Sequence, residues 1–152
     1  MRRAKRLTSF RRKATTPRHL PYRPRRSLLS RGEAAFHRAL CRAIRGRFLI
    51  AFKVRLADLI TCTEQAWKEG FGHMIARQHL DFVLCDWSST DIVMAIELDD
   101  RSHRRLRRKS RDSFLNEALS SAGVPLVRFK AAARYDAAEI ARVIELALPY
   151  AP

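Results

Sequence analysis

Two short, almost continuously apolar runs in the middle of the chain constrain the fold more than any other feature. They occupy residues 80–85 and 92–98, and only the polar stretch 86–91 separates them. Runs of this length and composition are typical of central strands that are covered on both faces. Because a parallel crossover needs a dozen or more residues, the two strands are predicted to form an antiparallel hairpin.

A helix and a strand are predicted ahead of this hairpin. Ser30 and Glu33 have the spacing of a capping box, and apolar residues recur at helical spacing from there until Gly46. The segment 48–59 is rich in β-branched and aromatic residues, which predicts a strand with a bend near Ala57.

Three more helices and one more strand complete the predicted order. A helix capped by Thr61 has an apolar side formed by Trp67, Phe71, Met74 and Ile75. The long helix after the hairpin ends at Gly123 and Pro125, and its buried side is formed by Leu106, Phe114, Leu115, Ala118, Leu119 and Ala122. A strand follows at 124–129, and Asp136 caps a last helix. Helices and strands mixed in this way predict an α/β domain.

Three carboxylates are predicted to meet at one end of the hairpin. Pairing about the centre of its loop sets Asp81 opposite Ile96 and Glu97. Glu97 and Asp99 are two residues apart, so both project from one face of an extended strand. A cation is expected to relieve their repulsion, and Mg²⁺ (or Mn²⁺) suits these ligands because it takes one or two carboxylates together with water and phosphate.

Glu33 is a further candidate, because its spacing in the first helix turns it toward the sheet. Two interpretations stay open for it. It joins the three carboxylates, or it serves only in the capping box.

An arginine-rich segment follows these acids and covers the start of the predicted long helix. Cations at a helix N-terminus oppose the helix dipole, so local helix stability does not explain them. A bound phosphate would use both the dipole and the arginines, and the expected contacts are Arg101, Arg104, Arg105, Arg107 and Arg108. A solvated charged face is the alternative. His103 and Lys109 are candidates for proton transfer or charge stabilisation.

The charge of the chain points to a polyanionic partner. Its formal net charge is +16, which favours nucleic acid, with DNA as the first choice. Residues 1–28 contain no acid and several prolines, so they are predicted to be a disordered basic tail before one domain at 29–152. No stretch approaches the ~20 apolar residues of a membrane span, and no membrane partner is expected.

Compartment is inferred from the cysteines and from the tail. The chain has three widely spaced cysteines, which indicates reduced thiols and a cytoplasmic protein. If the partner is DNA, association with the nucleoid is expected. An arginine-rich tail without acids is also typical of an organellar transit peptide, so that location stays open.

The residues around the two central strands resemble those of an uncharacterised family, domain of unknown function 2726. The resemblance rests on HLDFVLCD at 79–86 and AIELDDRSH at 95–103, and it extends over residues 29–144. That family is similar to the very-short-patch-repair endonucleases and their relatives in the PD-(D/E)xK superfamily. The core of that superfamily is a mixed sheet flanked by helices.

The resemblance implies a restriction endonuclease-like fold, with about four strands and helices on both faces. By position, it implies a metal-binding Asp81, a following acid at Glu97 and a helix acid at Glu33. Asp99 stands where the superfamily usually has its lysine, and the candidates to replace that lysine are Asp99, His103, Lys53 and Lys109. Lys53 is also a candidate contact to nucleic acid. The implied activity is metal-dependent hydrolysis of DNA phosphodiester bonds, in repair or processing.

Two other functions remain open at this stage. A nucleic-acid-binding module could keep the fold after losing the lysine and with it catalysis. A basic protein that associates with RNA or ribosomes is the third candidate, although the sequence contains no aromatic RNA-stacking motif.

Overall fold

The architecture is taken from a computed structural model, which describes residues 20–99 and 105–148, apart from the side chains of 105–112. Six helices and four strands occur in the described residues. In chain order they are α1 (Arg31–Ile44), β1 (Phe48–Arg55), α2 (Leu56–Leu59), α3 (Glu64–Lys68), α4 (Phe71–Ala76), β2 (His79–Asp86), β3 (Ile92–Asp99), α5 (Arg105–Ser121), β4 (Leu126–Lys130) and α6 (Ala137–Ala147).

The strands form one mixed sheet in the order β1-β2-β3-β4. The pairs β1–β2 and β2–β3 are antiparallel, and β4 joins β3 in parallel after the crossover through α5. The predicted hairpin is confirmed, with Phe82 opposite Ile96. The predicted mixed α/β architecture with a four-stranded sheet is therefore also confirmed.

Two apolar clusters pack on the sheet. The first cluster joins α1 and α6 to the strands and includes Phe36, Leu40, Phe82, Ile96 and Ile144. The second cluster joins α2, α4 and α5 to the strands and includes Leu56, Ile75, Leu80, Leu115 and Leu119. Burial of such side chains is the main contribution that stabilises the sheet between its helices.

Two helix starts form as their sequence predicts. The Ser30 hydroxyl accepts from the Glu33 backbone N–H, and the Glu33 carboxylate accepts from the Ser30 backbone N–H, so α1 begins with a full capping box. At α6, the Asp136 carboxylate accepts from the Ala138 backbone N–H. Both caps depend only on residues a few positions apart, which is why sequence predicts them.

The segment between the first two strands differs from its prediction. The strand expected at 48–59 ends at Arg55, because Leu56 turns into the second cluster and begins α2. The cap expected at Thr61 is formed instead by Thr63, whose hydroxyl accepts from the Ala66 backbone N–H.

The single helix expected after Thr61 is two short helices, α3 and α4. Gly70 separates them with a φ of 102°, a left-handed conformation that glycine adopts without strain. Of the four residues predicted to form the apolar side of one helix, Ile75 is buried, and Trp67, Phe71 and Met74 are 41%, 53% and 46% exposed. Two further predictions are also corrected: β4 begins at Leu126 and not at Val124, and Ala122, predicted on the buried side of the long helix, is exposed.

No helix in the described part of the chain is both long enough and apolar enough to cross a bilayer.

Gly72 allows the close packing of α3 on α4. A Cβ at this position would lie 2.1 Å from the Trp67 ring, whereas a Cβ at Gly32 would meet nothing within 4 Å. We expect Gly72→Ala to destabilise the protein by about 1–3 kcal/mol, because the indole must shift. Gly32→Ala should be neutral or stabilising by up to about 1 kcal/mol, since alanine favours a helix. Urea denaturation followed by tryptophan fluorescence measures both, and equal stabilities would contradict the packing.

Candidate active site

The candidate site lies at the end of the sheet where β1 and β3 end and β2 begins. Lys53 comes from β1, Asp81 from β2 and Glu97 from β3, and Glu33 reaches them from the first turn of α1. Three strands and one helix therefore contribute charged side chains to one end of the fold.

Lys53 has a backbone conformation that the rest of β1 does not share. Its φ is 57°, and of the non-glycine residues with positive φ in the described chain only Lys53 lies inside a strand. This left-handed conformation costs about 1–2 kcal/mol for a residue with a side chain. Such strain persists only where the surroundings hold it, and it is found often at functional sites.

The side-chain alternation of both strands changes at this point. Phe52 and its partner Phe82 pack in the first cluster, but Val54 and its partner Leu80 pack in the second. Residues two apart share a face in a regular strand, so the alternation is broken at Lys53 and Asp81 between them. The irregularity therefore frees this lysine and this aspartate from the two apolar layers.

The Lys53 ammonium bridges two carboxylates. Its Nζ lies 2.5 Å from Glu33 Oε1 and 3.2 Å from Asp81 Oδ1. The three side chains are largely enclosed, with exposed fractions of 33% for Lys53, 18% for Glu33 and 19% for Asp81. Glu33 also keeps its capping-box bond, so the capping role is confirmed as a contact, and its place among the catalytic acids stays a prediction.

These contacts set the protonation states of Glu33 and Lys53. Burial acts to raise the pKa of Glu33, but bonds from Lys53 and from the Ser30 backbone outweigh it and lower that pKa. Burial acts to lower the pKa of Lys53, but Glu33 and Asp81 outweigh it and raise that pKa above its ordinary value. Lys53 is therefore a cation at neutral pH and has no lone pair to act as a base.

Asp81 and Glu97 each bind the backbone of the opposite strand. Asp81 Oδ2 accepts from the Leu98 N–H at 2.9 Å, and Glu97 Oε1 accepts from the Asp81 N–H at 3.3 Å. Glu97 is only 7% exposed. The structure thus brings Asp81 and Glu97 together where the β2–β3 ladder ends, in the register that the hairpin predicts.

A pocket of about 410 Å³ opens beside the bridge. Its walls are the first turn of α1, the end of β3 and the loop after β4, and the lining residues are Ser30, Gly32, Glu33, Asp81, Leu98, Ala131, Ala132, Ala133 and Tyr135. The Tyr135 hydroxyl accepts from the Ala132 N–H and holds the loop in place. Asp81 and Glu33 therefore line an open space beside the bridge.

Asp99 has a different partner. Its Oδ1 lies 2.9 Å from Arg128 Nη1, and the Asp99 side chain is 50% exposed. Arg128 stands beside Glu97 in the parallel β3–β4 pairing, so it lies on the strand next to these acids. The sequence contains a signal for this arginine, because it is a charge between two apolar residues of a strand. Its partner follows only from the β3–β4 register.

In the described residues, no group of three or more His, Cys, Asp or Glu side chains is arranged to hold a metal ion. The three-carboxylate set Asp81, Glu97 and Asp99 stays a prediction, and within it the structure joins Asp81 to Glu97. Two carboxylates suffice for Mg²⁺, which completes its shell with water and phosphate.

Several predicted site residues fall outside the description. Arg101, His103 and Arg104 lie in the segment 100–104, and the side chains of Arg105, Arg107, Arg108 and Lys109 lie within 105–112. Their predicted roles stay predictions. The described backbone does place Arg105 at the start of α5.

The bridge should make stability depend on pH. Because the pKa of Glu33 is lowered and the pKa of Lys53 is raised, the bridge contributes fully to the free energy of unfolding between about pH 4.5 and pH 10.5. The contribution is lost at lower pH as Glu33 is protonated through its lowered pKa, and at higher pH as Lys53 is deprotonated through its raised pKa. We expect Lys53→Met to lower the free energy of unfolding by on the order of 1 kcal/mol at pH 7 and by clearly less near pH 3.

Urea denaturation at the two pH values measures this difference. The matched control is Lys68→Met, which removes an exposed helix pair with Glu64 and should change stability by about 0.5 kcal/mol or less. An equal loss for Lys53→Met at both pH values would contradict the bridge.

Comparison with known proteins places the chain in a family without an assigned activity. The family described as protein of unknown function (DUF2726) matches residues 25–148, which is most of the chain. Searches of curated proteins and of solved structures give no significant match. The match includes all four strands and the residues of the bridge, so this chain belongs to the DUF2726 family.

Proposed function

We propose that this chain is a metal-dependent nuclease that hydrolyses phosphodiester bonds of DNA in repair or processing. The observation that carries the proposal is the Lys53 ammonium at 3.2 Å from the Asp81 carboxylate. The backbone N–H of Asp81 in turn donates to the Glu97 carboxylate. The PD-(D/E)xK superfamily, which the family resembles, combines two acids with a lysine, and this sequence has Asp99 at the usual lysine position. Lys53 supplies that positive charge from another strand.

The architecture supports the same proposal at the level of fold. Three antiparallel strands and a fourth strand parallel to the third, with helices between β1 and β2 and between β3 and β4, put the acids at one end of a mixed sheet. A restriction endonuclease-like fold is part of the proposal, and it agrees with the mixed sheet and with helices on both faces.

Asp81 and Glu97 are the residues that would hold Mg²⁺ or Mn²⁺. Their chemistry fits, because both are carboxylates at a shared point of the sheet and Asp81 lines the pocket. A bound ion of this kind would supply activation of the attacking water and would offset the charge of the phosphate.

Lys53 stabilises negative charge on the reacting phosphate. Its raised pKa keeps the ammonium charged, so it acts as a fixed cation in a largely enclosed site and not as a base. Glu33 positions this ammonium through its 2.5 Å contact and is itself fixed by Ser30. The loop 131–133 forms one wall of the pocket beside these residues.

One observation favours a second candidate, a nucleic-acid-binding module without catalysis. Lys53 pairs with Glu33 and Asp81, and Arg128 pairs with Asp99, so part of the acidic charge of the site is already balanced within the described protein. Such a module would bind DNA and leave it intact in the presence of any divalent ion.

Cleavage of plasmid, single-stranded and mismatched DNA with Mg²⁺ or Mn²⁺ separates the two candidates. We expect Asp81→Asn and Glu97→Gln to lower the cleavage rate about 100-fold or more, because each removes a metal-binding carboxylate. Glu64→Gln, which changes an exposed acid of α3, should keep the rate of the parent protein.

The assay is decisive in both directions. Cutting that EDTA abolishes and that the two site substitutions suppress supports the nuclease. DNA binding without metal-dependent cutting in the parent protein contradicts it and supports the binding module.

A further inference from the structure

The outer face of α1 carries a row of arginines that the site does not use. Phe36, Leu40 and Ile44 turn the inner face of α1 into the first cluster. On the opposite side the exposed residues include Arg31, Arg38, Arg42 and, at the C-cap, Arg45, which together are called the arginine stripe here.

The spacing of these residues puts them in line. Arg38 follows Arg31 by seven positions and Arg42 follows Arg38 by four, which are spacings that repeat on one side of an α-helix. With a rise of 1.5 Å per residue, the stripe is about 21 Å long. One strand of a DNA duplex carries roughly six phosphates over this length, at about 3.4 Å per phosphate.

Nothing in the described protein compensates this charge. Among the ion pairs of the described residues none involves a member of the stripe, and the neighbouring acid Glu145 pairs with Arg47. Like charges at this helical spacing repel, and Arg31 at the first position of α1 opposes the helix dipole. Arg42 in the last turn and Arg45 at the C-cap favour the dipole, so the mutual repulsion of the arginines is the penalty that an external polyanion would remove.

We propose that the arginine stripe binds the phosphate backbone of the nucleic-acid strand that enters the candidate site. The stripe begins at the pocket, since Ser30, Gly32 and Glu33 on either side of Arg31 line it together with Asp81. A strand held along α1 is thus led to the Lys53 bridge. This inference rests on the proposed function only for the kind of polyanion and extends it by naming the surface that holds the substrate.

The chemistry of this face favours nucleic acid over a membrane. A helix that lies on a bilayer inserts large apolar side chains beside its cations. The large apolar side chains of α1 are buried in the first cluster, and the exposed face offers only arginines, Gly32 and Cys41. The guanidinium group suits phosphate oxygens because it presents paired N–H donors.

The test compares two variants that each remove two positive charges. Arg38→Gln with Arg42→Gln changes the stripe, and Lys68→Gln with Arg77→Gln changes exposed residues of the helical segment that packs in the second cluster. Binding of a fluorescent DNA duplex is measured by anisotropy in EDTA over a series of salt concentrations. Circular dichroism checks that both variants fold.

In the stripe variant we expect the affinity to fall less steeply with salt, with the magnitude of the slope of log affinity against log salt reduced by about two. At low salt we expect about a ten-fold or greater loss of affinity. The control should keep the slope of the parent protein. Equal losses in both variants would mean that only overall charge matters, and they would overturn the proposal. An unchanged slope in the stripe variant would do so as well.

Two further outcomes separate neighbouring explanations. Co-sedimentation with vesicles of phosphatidylcholine and phosphatidylserine is measured for the parent protein and the stripe variant. The proposal is overturned if the stripe substitutions reduce vesicle binding and leave DNA binding unchanged. DNA binding is measured in EDTA, without divalent ions, and cleavage is measured with them. A failure of the binding proposal can therefore be distinguished from a failure of the proposed hydrolysis. A protein that binds along the stripe and cuts nothing keeps this inference and loses the proposed hydrolysis, and one that cuts without using the stripe does the reverse.

Discussion

The Lys53 bridge is the interaction on which the organisation of this end of the molecule depends. Through Lys53 of β1, it connects Glu33 in the first turn of α1 to Asp81 near the beginning of β2. Without its charge, two largely enclosed carboxylates would face one pocket with reduced access to water. The left-handed backbone of Lys53 and the break in strand alternation both serve to bring its ammonium to this position.

Under the proposed function, the bridge would place a cation near the acids in a chain that has Asp99 at the usual lysine position of the PD-(D/E)xK superfamily. In the proposed site the cation would stabilise negative charge on a phosphate, and this electrostatic effect does not depend on the strand that supplies the cation. In this chain β1 supplies it, while Asp99 is directed to Arg128. The supply of the cation by β1 is a proposal about function that rests on the contacts of Lys53 and Asp99 in the fold.

Sequence reasoning succeeded where neighbouring residues decide the structure. The hairpin follows from two apolar runs and a short loop, and the α1 and α6 caps follow from residues within one turn. The hairpin also predicted the meeting of Asp81 and Glu97, because antiparallel register is set by the loop.

The parts that sequence missed depend on contacts between distant segments. A positive φ at a lysine has no local signal, since the favoured residues there are glycine and asparagine, and only Glu33 and Asp81 explain it. The Asp99–Arg128 pair requires the parallel β3–β4 register. The break between α3 and α4 had a signal in Gly70, but the packing of Trp67 on Gly72 decided its geometry.

The central claim is that Asp81 and Glu97 together bind a divalent ion at a phosphate of DNA. A crystal structure of the protein with Mn²⁺ and a short DNA duplex tests it most directly, because Mn²⁺ is identified by its anomalous scattering. The account predicts an anomalous peak in contact with both carboxylates and a DNA phosphate, with the Lys53 ammonium close to that phosphate. DNA bound elsewhere, or bound at the pocket with no ion between Asp81 and Glu97, would contradict it.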